Sequence, residues 1–292
     1  MHNTKLTVPI LAAILSVAAL APAQAEFFTV DCTSAGPGTP GSGSSPGVAY
    51  PTIQAAVDDA AVTGAGRGHT VVVNPCAANP YGNVTISGHV GLHLVAAVVP
   101  GDVGAEDAGV GAFHIREAAL TSITISDSEN IDVVGFYVLD QQNPSAIWIG
   151  DQSVNVLIHS NLLSGTGITV DDSRHVDIVS NNTLSAPFDG IALSDCKKCS
   201  VVDNVIEYPQ GNGVSITGAL LDTVVNNKIL DPGGLGIVVN SGSGHRLERN
   251  TIYEDGVDIR IEAAATSTDV IGNGCGVVID NLALDTDLAE NC

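Results

Sequence analysis

The sequence predicts an all-β chain wound as a solenoid, a parallel β-helix, and three observations carry that expectation. A short phrase returns at Asn161-Leu-Leu, Asn182-Thr-Leu, Asn204-Val-Ile, Asn227-Lys-Ile, Asn250-Thr-Ile and Asn273-Gly-Cys, at spacings of 21, 22, 23, 23 and 23 residues. A second phrase, glycine before a β-branched residue, returns at Gly167, Gly190, Gly213, Gly236, Gly256 and Gly276, at spacings of 23, 23, 23, 20 and 20. Between them lie runs such as Val156-Leu-Ile-His and Gly236-Ile-Val-Val, whose β-branched composition favours strands over the Leu-rich frame of other repeats of this length. Three short strands and their turns use up one period, and stacking pairs the backbone of each coil with its neighbours.

The elements follow in chain order. Residues 1–25 read as a secretory signal, with Lys5, the apolar run Leu6 to Leu20 and Ala23-Gln-Ala25 as a small-residue cleavage site. Residues 26–49 form a Gly/Ser/Pro-rich flexible lead-in, and residues 50–292 one β-helix domain. Thr52 is placed to N-cap a helix to about Ala61, whose Ile53, Ala56, Val57 and Ala60 share one face and suit it to cover the open end of the core. Irregular strands are expected at Thr70–Val73, Asn83–Ile86, Leu92–Val98, Phe113–Arg116 and Ser122–Ile125, interrupted by an excursion over Pro100–Gly111. Regular coils run from about Ser126 to Ile279, giving about ten in all, and the tail closes the far end.

Each repeated residue has a physical task. An inward asparagine at the same turn of every coil can hydrogen-bond its own turn and the next asparagine, and it tolerates a left-handed backbone. Glycine at the other corner marks positive φ or close backbone approach.

These phrases resemble the NosD-type repeats of the pectin-lyase-like superfamily of right-handed parallel β-helices. Tyr50-Pro-Thr-Ile-Gln-Ala-Ala-Val, Thr70-Val-Val-Val-Asn-Pro and Asn83-Val-Thr-Ile resemble its capping helix and first coil. The resemblance spans about residues 50–280 and implies a polysaccharide-binding or polysaccharide-processing protein, a lyase or hydrolase; the alternative is a non-catalytic surface or adhesion protein. Enzyme identity stays open. Asp171-Asp172, Gly244-His245 and Arg260-Ile261-Glu262 are the nearest pieces to polygalacturonase motifs, but they lie out of order and the last ends in Glu.

Composition narrows the setting. The net charge is -22, which disfavours nucleic acid and makes any polyuronate groove depend on a bridging cation such as Ca²⁺. No stretch after the signal approaches the length of a membrane span, so a secreted product, extracellular or periplasmic, is expected. The six cysteines lie beyond the signal and suggest Cys32 with Cys76, Cys196 with Cys199 and Cys275 with Cys292, as suits an oxidising compartment. A Cys-x-x-Cys also serves redox and metal sites, but here the strand-turn context reads as a local disulfide.

The densest outward polar set is Asp171, Asp172, Arg174 and His175, with Asp195, Lys197 and Lys198 one repeat later. Acid, imidazole and base together suit general acid/base work, and Asp171 with Asp172 suits Ca²⁺; the competing reading is a pair of solvated polar turns. Trp148, between Ile147 and Ile149, points outward if those two point in, where it and Asp151 are candidate sugar contacts.

Overall fold

The computed structural model describes residues 25–41, 47–63, 68–76, 81–97, 118–139, 145–253, 257–274 and 279–288. The leader, the Pro100–Gly111 excursion, the strand expected at Phe113–Arg116 and the Cys275–Cys292 pairing fall outside these residues, except for Ala25.

The chain winds as a parallel β-helix with three rows of strands. The first row includes Ser145–Gly150, Gly167–Asp171, Ile191–Ser194, Val214–Thr217 and Ile237–Ser243; the second includes Val154–His159, Arg174–Val179, Ser200–Val202, Thr223–Val225 and Arg246–Glu248. The third is a sheet of seven strands from Ala119–Leu120 to Thr251–Tyr253. Paired strands in all three rows are parallel, and most are in step: Ile168 sits on Ile191, Ile191 on Val214 and Val214 on Ile237, while the register shifts at Gly167/Ile168 and at Val239/Ser241. Among the described residues about eight turns form rather than ten.

Alternation explains the core. In the first row Ile147 and Ile149, Ile168 and Val170, Ile191 and Leu193, and Val214 and Ile216 all turn inward and are buried. Val138, Leu163, Ile206 and Ile229 do the same in the third row, where Leu163 stacks on Val138 and Ile229 on Ile206, with the buried Thr183 between Leu163 and Ile206. Such columns of branched side chains fill a narrow interior without aromatic bulk.

The asparagine ladder exists, with one member reassigned. Asn161, Asn181, Asn204, Asn227, Asn250 and Asn273 are its buried rungs; Asn182 instead lies in a third-row strand, half-exposed. Each rung accepts at Oδ1 from the backbone N–H and side-chain amide of the rung before: Asn181 N donates to Asn204 Oδ1 at 2.8 Å and Asn204 N to Asn227 Oδ1 at 3.0 Å. The asparagines themselves are not left-handed. Positive φ falls one residue earlier, at Ser160, Ser180, Asp203, Asn226 and Arg249. The glycines work by close approach: a Cβ on Gly213 would lie 2.5 Å from both the Gly236 carbonyl oxygen and Ile229 Cγ2.

The cap is the helix Ile53–Thr63. Thr52 Oγ1 accepts the Ala55 N–H at 3.2 Å, and Ile53, Ala56, Val57 and Ala60 are buried as expected. Phe27–Val30, inside the segment read as a flexible lead-in, is instead a strand paired with His69–Val73, and the Cys32–Cys76 disulfide ties the two together. Among the described residues no helix is long and apolar enough to cross a membrane.

Candidate functional site

The corner between the first and second rows changes along the axis. In the earlier coils it is tight: Asp171 and Arg174 are separated by two residues, and buried serines close the turn. Ser128 Oγ donates to the Ser126 carbonyl at 2.7 Å, Ser153 Oγ to Gly150 at 2.7 Å and Ser173 Oγ to Asp171 at 2.9 Å. One coil later Ser194 and Ser200 are separated by five residues, and the corner has room for two inward columns.

The first column is Cys196, Ala219, Gly242 and Ala265, stepped by the Leu220 N–H to Cys196 carbonyl bond at 2.8 Å and by strand register. The second is Cys199, Asp222, His245 and Thr268, stepped by bonds from Thr223, Arg246 and Asp269 N–H groups to the carbonyls of Cys199, Asp222 and His245. Small residues in one column make space for the other. A Cβ on Gly242 would stand 2.6 Å from His245 Nε2, so this imidazole fits only because residue 242 has no side chain.

Cys196, Cys199 and Asp222 meet in this corner. Their sulfurs and a carboxylate oxygen all lie within 4.8 Å of one another, and the two cysteines are joined as a disulfide. Asp222 is fully buried; its Oδ1 accepts the Cys199 N–H at 2.9 Å, but its Oδ2 has no hydrogen-bond partner. Both nitrogens of buried His245 and the Thr268 hydroxyl likewise lack partners. Burial pushes the Asp222 carboxyl up to about 7 against the opposing pull of the neighbouring backbone N–H groups, that of Cys199 first, and burial pushes His245 down to about 4. The contrast with the bonded asparagine ladder at the next corner of the same coil, beyond Ser200–Val202, is chemical: this corner holds donors and acceptors that the fold does not use.

The outward candidates are placed differently. Asp172, Arg174 and Lys197 line a surface depression of about 360 Å³ together with Gln152, Asp195 and Cys196. Asp171 stands at the outer end of a first-row strand, whereas His175, exposed in the second-row strand, and Lys198, an exposed bend, both have positive φ and lie outside that lining. Asp171 and Asp172 are joined by no third ligand; among the described residues the group with metal-ligand spacing is Cys196, Cys199 and Asp222. Trp148 points outward between buried Ile147 and Ile149, and its ring lies across Gly150, where a Cβ would meet it at 2.2 Å. Asp151, next along, is an exposed turn residue with φ of 53°. Asp222 carried no sequence signal, and His245 stood out only with Gly244 as an out-of-order motif fragment. Adding the 23-residue period to Cys199 reaches 222, 245 and 268, which is the one route by which sequence could have found the column.

The repeat region decides the family. Residues 111–275, more than half of the chain, match the family described as "Periplasmic copper-binding protein (NosD)". This chain belongs to the NosD family. No curated protein matches it in sequence. Among solved structures, ORF18 of Geobacillus virus E2 superposes with a TM-score of 0.52 at 10% identity, covering 82% of this NosD-family chain and 56% of the viral one. A double mutant of the periplasmic alginate epimerase AlgG gives a TM-score of 0.47 at 12% identity over 77% of this chain and 78% of that one. The DFA-IIIase of Arthrobacter chlorophenolicus A6 gives 0.43 at 14% identity over 80% and 60%. At these identities the likeness is one of fold.

Proposed function

We propose that the protein is exported and binds polysaccharide along the outer surface of the first row, with Trp148 as the platform for a sugar ring. The observation that carries the reading is the outward Trp148 side chain, its ring packed over Gly150 and flanked by Thr124 and Thr169 on the adjoining coils. A flat indole offers an apolar face to the C–H side of a sugar, while hydroxyls beside it offer hydrogen bonds. Thr169 Oγ1 and Ser145 Oγ stand 2.5 Å apart, and further along the row Ser215 Oγ donates to Asp189 Oδ2 at 2.6 Å. The coil repeat presents these groups about 4.8 Å apart, a spacing that suits an extended chain running along the axis. Asp151 lies beside this platform, and Asp171 with Asp172 stands at its edge to hold Ca²⁺ where the glycan is anionic. Asp172, Arg174 and Lys197, gathered in one depression, are the acid/base set available for processing, with the exposed His175 and Lys198 next to Arg174 and Lys197 in the chain. Copper, the metal in the family's description, would find a donor set among the described residues at Cys196, Cys199 and Asp222 once the disulfide between the two cysteines is reduced.

A glycan array followed by titration of the best binder tests the proposal. Trp148→Ala is expected to weaken binding at least tenfold, since loss of a central aromatic anchor costs about 2 kcal/mol, while the unfolding midpoint stays near that of the parent chain. Release of unsaturated products or reducing ends, lost in Asp172→Asn, identifies processing; binding unaltered by Trp148→Ala removes the platform from the account.

A further inference from the structure

We infer that the widened corner is a redox-gated site for a single thiophilic metal ion, held by Cys196 Sγ, Cys199 Sγ and Asp222 Oδ2. This inference rests on and deepens the copper reading above, and because its test reads metal binding rather than glycan binding at Trp148, it fails separately from the glycan reading. Three observations carry it.

The first is convergence. Two sulfurs and a carboxylate oxygen, drawn from two successive coils, lie within 4.8 Å of one another, so a central ion reaches all three with small side-chain adjustment. The second is the unspent valence of the corner. Asp222 spends one oxygen on the Cys199 N–H, which fixes the carboxylate, and leaves Oδ2 buried with no partner. A buried acceptor without a partner is costly, and a cation is the partner that an adjoining pair of thiolates calls for. Small neighbours keep that space open, because Ala219 and Gly242 follow Cys196 along the facing column. The third is access. Cys196, itself buried, lines the outer depression with Asp172, Asp195, Arg174 and Lys197, so the depression reaches one residue of the sulfur pair. The strongly acidic chain raises the local concentration of cations around it.

The gate is the disulfide. As joined in the structure, the sulfurs offer no thiolate, and the site is closed to metal. A dithiol reductant opens it by thiol–disulfide exchange: its thiolate attacks one sulfur, a mixed disulfide forms, and its second thiol displaces the other cysteine. Two electrons pass to Cys196 and Cys199, and the reductant leaves as its own disulfide. Metal entry then displaces the protons of the two thiols and any proton on Asp222. Two sulfurs and one oxygen match Cu(I) in three-coordination, or Zn(II) with one position left for an exogenous ligand.

The test uses the full mature chain, kept oxidised or reduced with a dithiol that is then removed under anaerobic conditions. Co(II) serves as the probe, with Zn(II) and Cu(I) as competitors. The reduced chain is expected to bind one equivalent of Co(II) with thiolate-to-metal charge-transfer absorption that Zn(II) or Cu(I) abolishes, and the oxidised chain none. Asp222→Asn, which keeps the acceptor for Cys199 N–H, is expected to weaken binding at least tenfold; Cys196→Ser with Cys199→Ser abolishes the absorption, and Cys275→Ser with Cys292→Ser leaves it. Absence of a charge-transfer band in the reduced parent overturns the site, as does a band that survives loss of Cys196 and Cys199. Affinity unchanged by Asp222→Asn removes Asp222 from the ligand set and overturns the site as stated. The first comparison needs no variant, so a misfolded mutant does not shield the inference.

Discussion

Replacing Asn204 by alanine is expected to lower the stability of the folded chain by about 4 kcal/mol, whereas Lys197→Ala, at an exposed turn, should fall within about 0.5 kcal/mol of the parent. Asn204 sits in mid-ladder. Its amide donates to the Ile178 carbonyl at 2.8 Å, the Val202 carbonyl at 3.0 Å and Asn227 Oδ1 at 3.1 Å, and its Oδ1 accepts from both nitrogens of Asn181. Truncation leaves the Asn181 N–H and the Ile178 carbonyl without their partners inside the core, where each orphan costs about 1 to 3 kcal/mol. Coils contact mainly their neighbours, so hydrogen exchange should quicken first from Val201 to Ile229 while the capped N-terminal coils stay protected. The same experiment reads the register: Asn181→Ala should cost as much as Asn204→Ala, and Asn182→Ala much less. Equal losses at 181 and 182 would contradict the ladder described here.

That one-residue difference shows what was legible in the sequence. The coil period could be read because the ladder demands the same residue at the same turn of each coil, and because inward β-branched residues must alternate with outward ones. Trp148 was placed correctly by that alternation alone. At Asn181-Asn182 two asparagines compete for one rung, and sequence spacing favours the second by making the period look even. The coil there is shorter: the step from Asn161 to Asn181 is 20 residues, against 23 for the steps that follow. A tight serine corner of two residues, Asp172 and Ser173, explains the deficit, since the next corner spends five.

The buried column at that wider corner was hidden for the opposite reason. Its members change type at each step, from Cys199 to Asp222 to His245 to Thr268, so no phrase recurs. Charged and imidazole side chains in short polar-looking turns read as solvated, and only the geometry shows that five-residue corners turn them inward. The exposed set, Asp171 to Lys198, drew attention because its composition resembles chemistry. Composition alone does not reveal which residues have been taken out of water.

That removal from water has a measurable signature in the oxidised, metal-free chain. Asp222 is held up to about 7, above its usual 3.8, and His245 down to about 4, below its usual 6.5, in both cases by burial. For Asp222 the folded state binds its proton more tightly than the unfolded state. Its contribution to stability is therefore fully present below pH 3.8 and is lost as pH rises through about 7, by roughly 4 kcal/mol in all. His245 runs the other way: its contribution is complete above pH 6.5 and is lost as pH falls through about 4, by roughly 3 kcal/mol. Between pH 4 and 6.5 the folded pair holds one proton, on Asp222, and the unfolded pair also holds one, on His245, so the two slopes cancel. Asp222→Asn exposes the histidine slope. Relative to the parent, that variant should gain stability steadily from pH 4 to 7 and end about 4 kcal/mol more stable, an asparagine amide being neutral at every pH. His245→Asn should do the reverse, matching the parent near pH 7 and gaining about 3 kcal/mol near pH 4. Urea unfolding of the three oxidised chains at pH 4, 5, 6 and 7 measures both differences. Parallel pH profiles for all three would mean that water reaches the corner and that neither group is buried as described. Divergence in the stated directions would show that the fold carries Asp222 and His245 at a cost in stability, which is the condition expected of residues kept for chemistry rather than for packing.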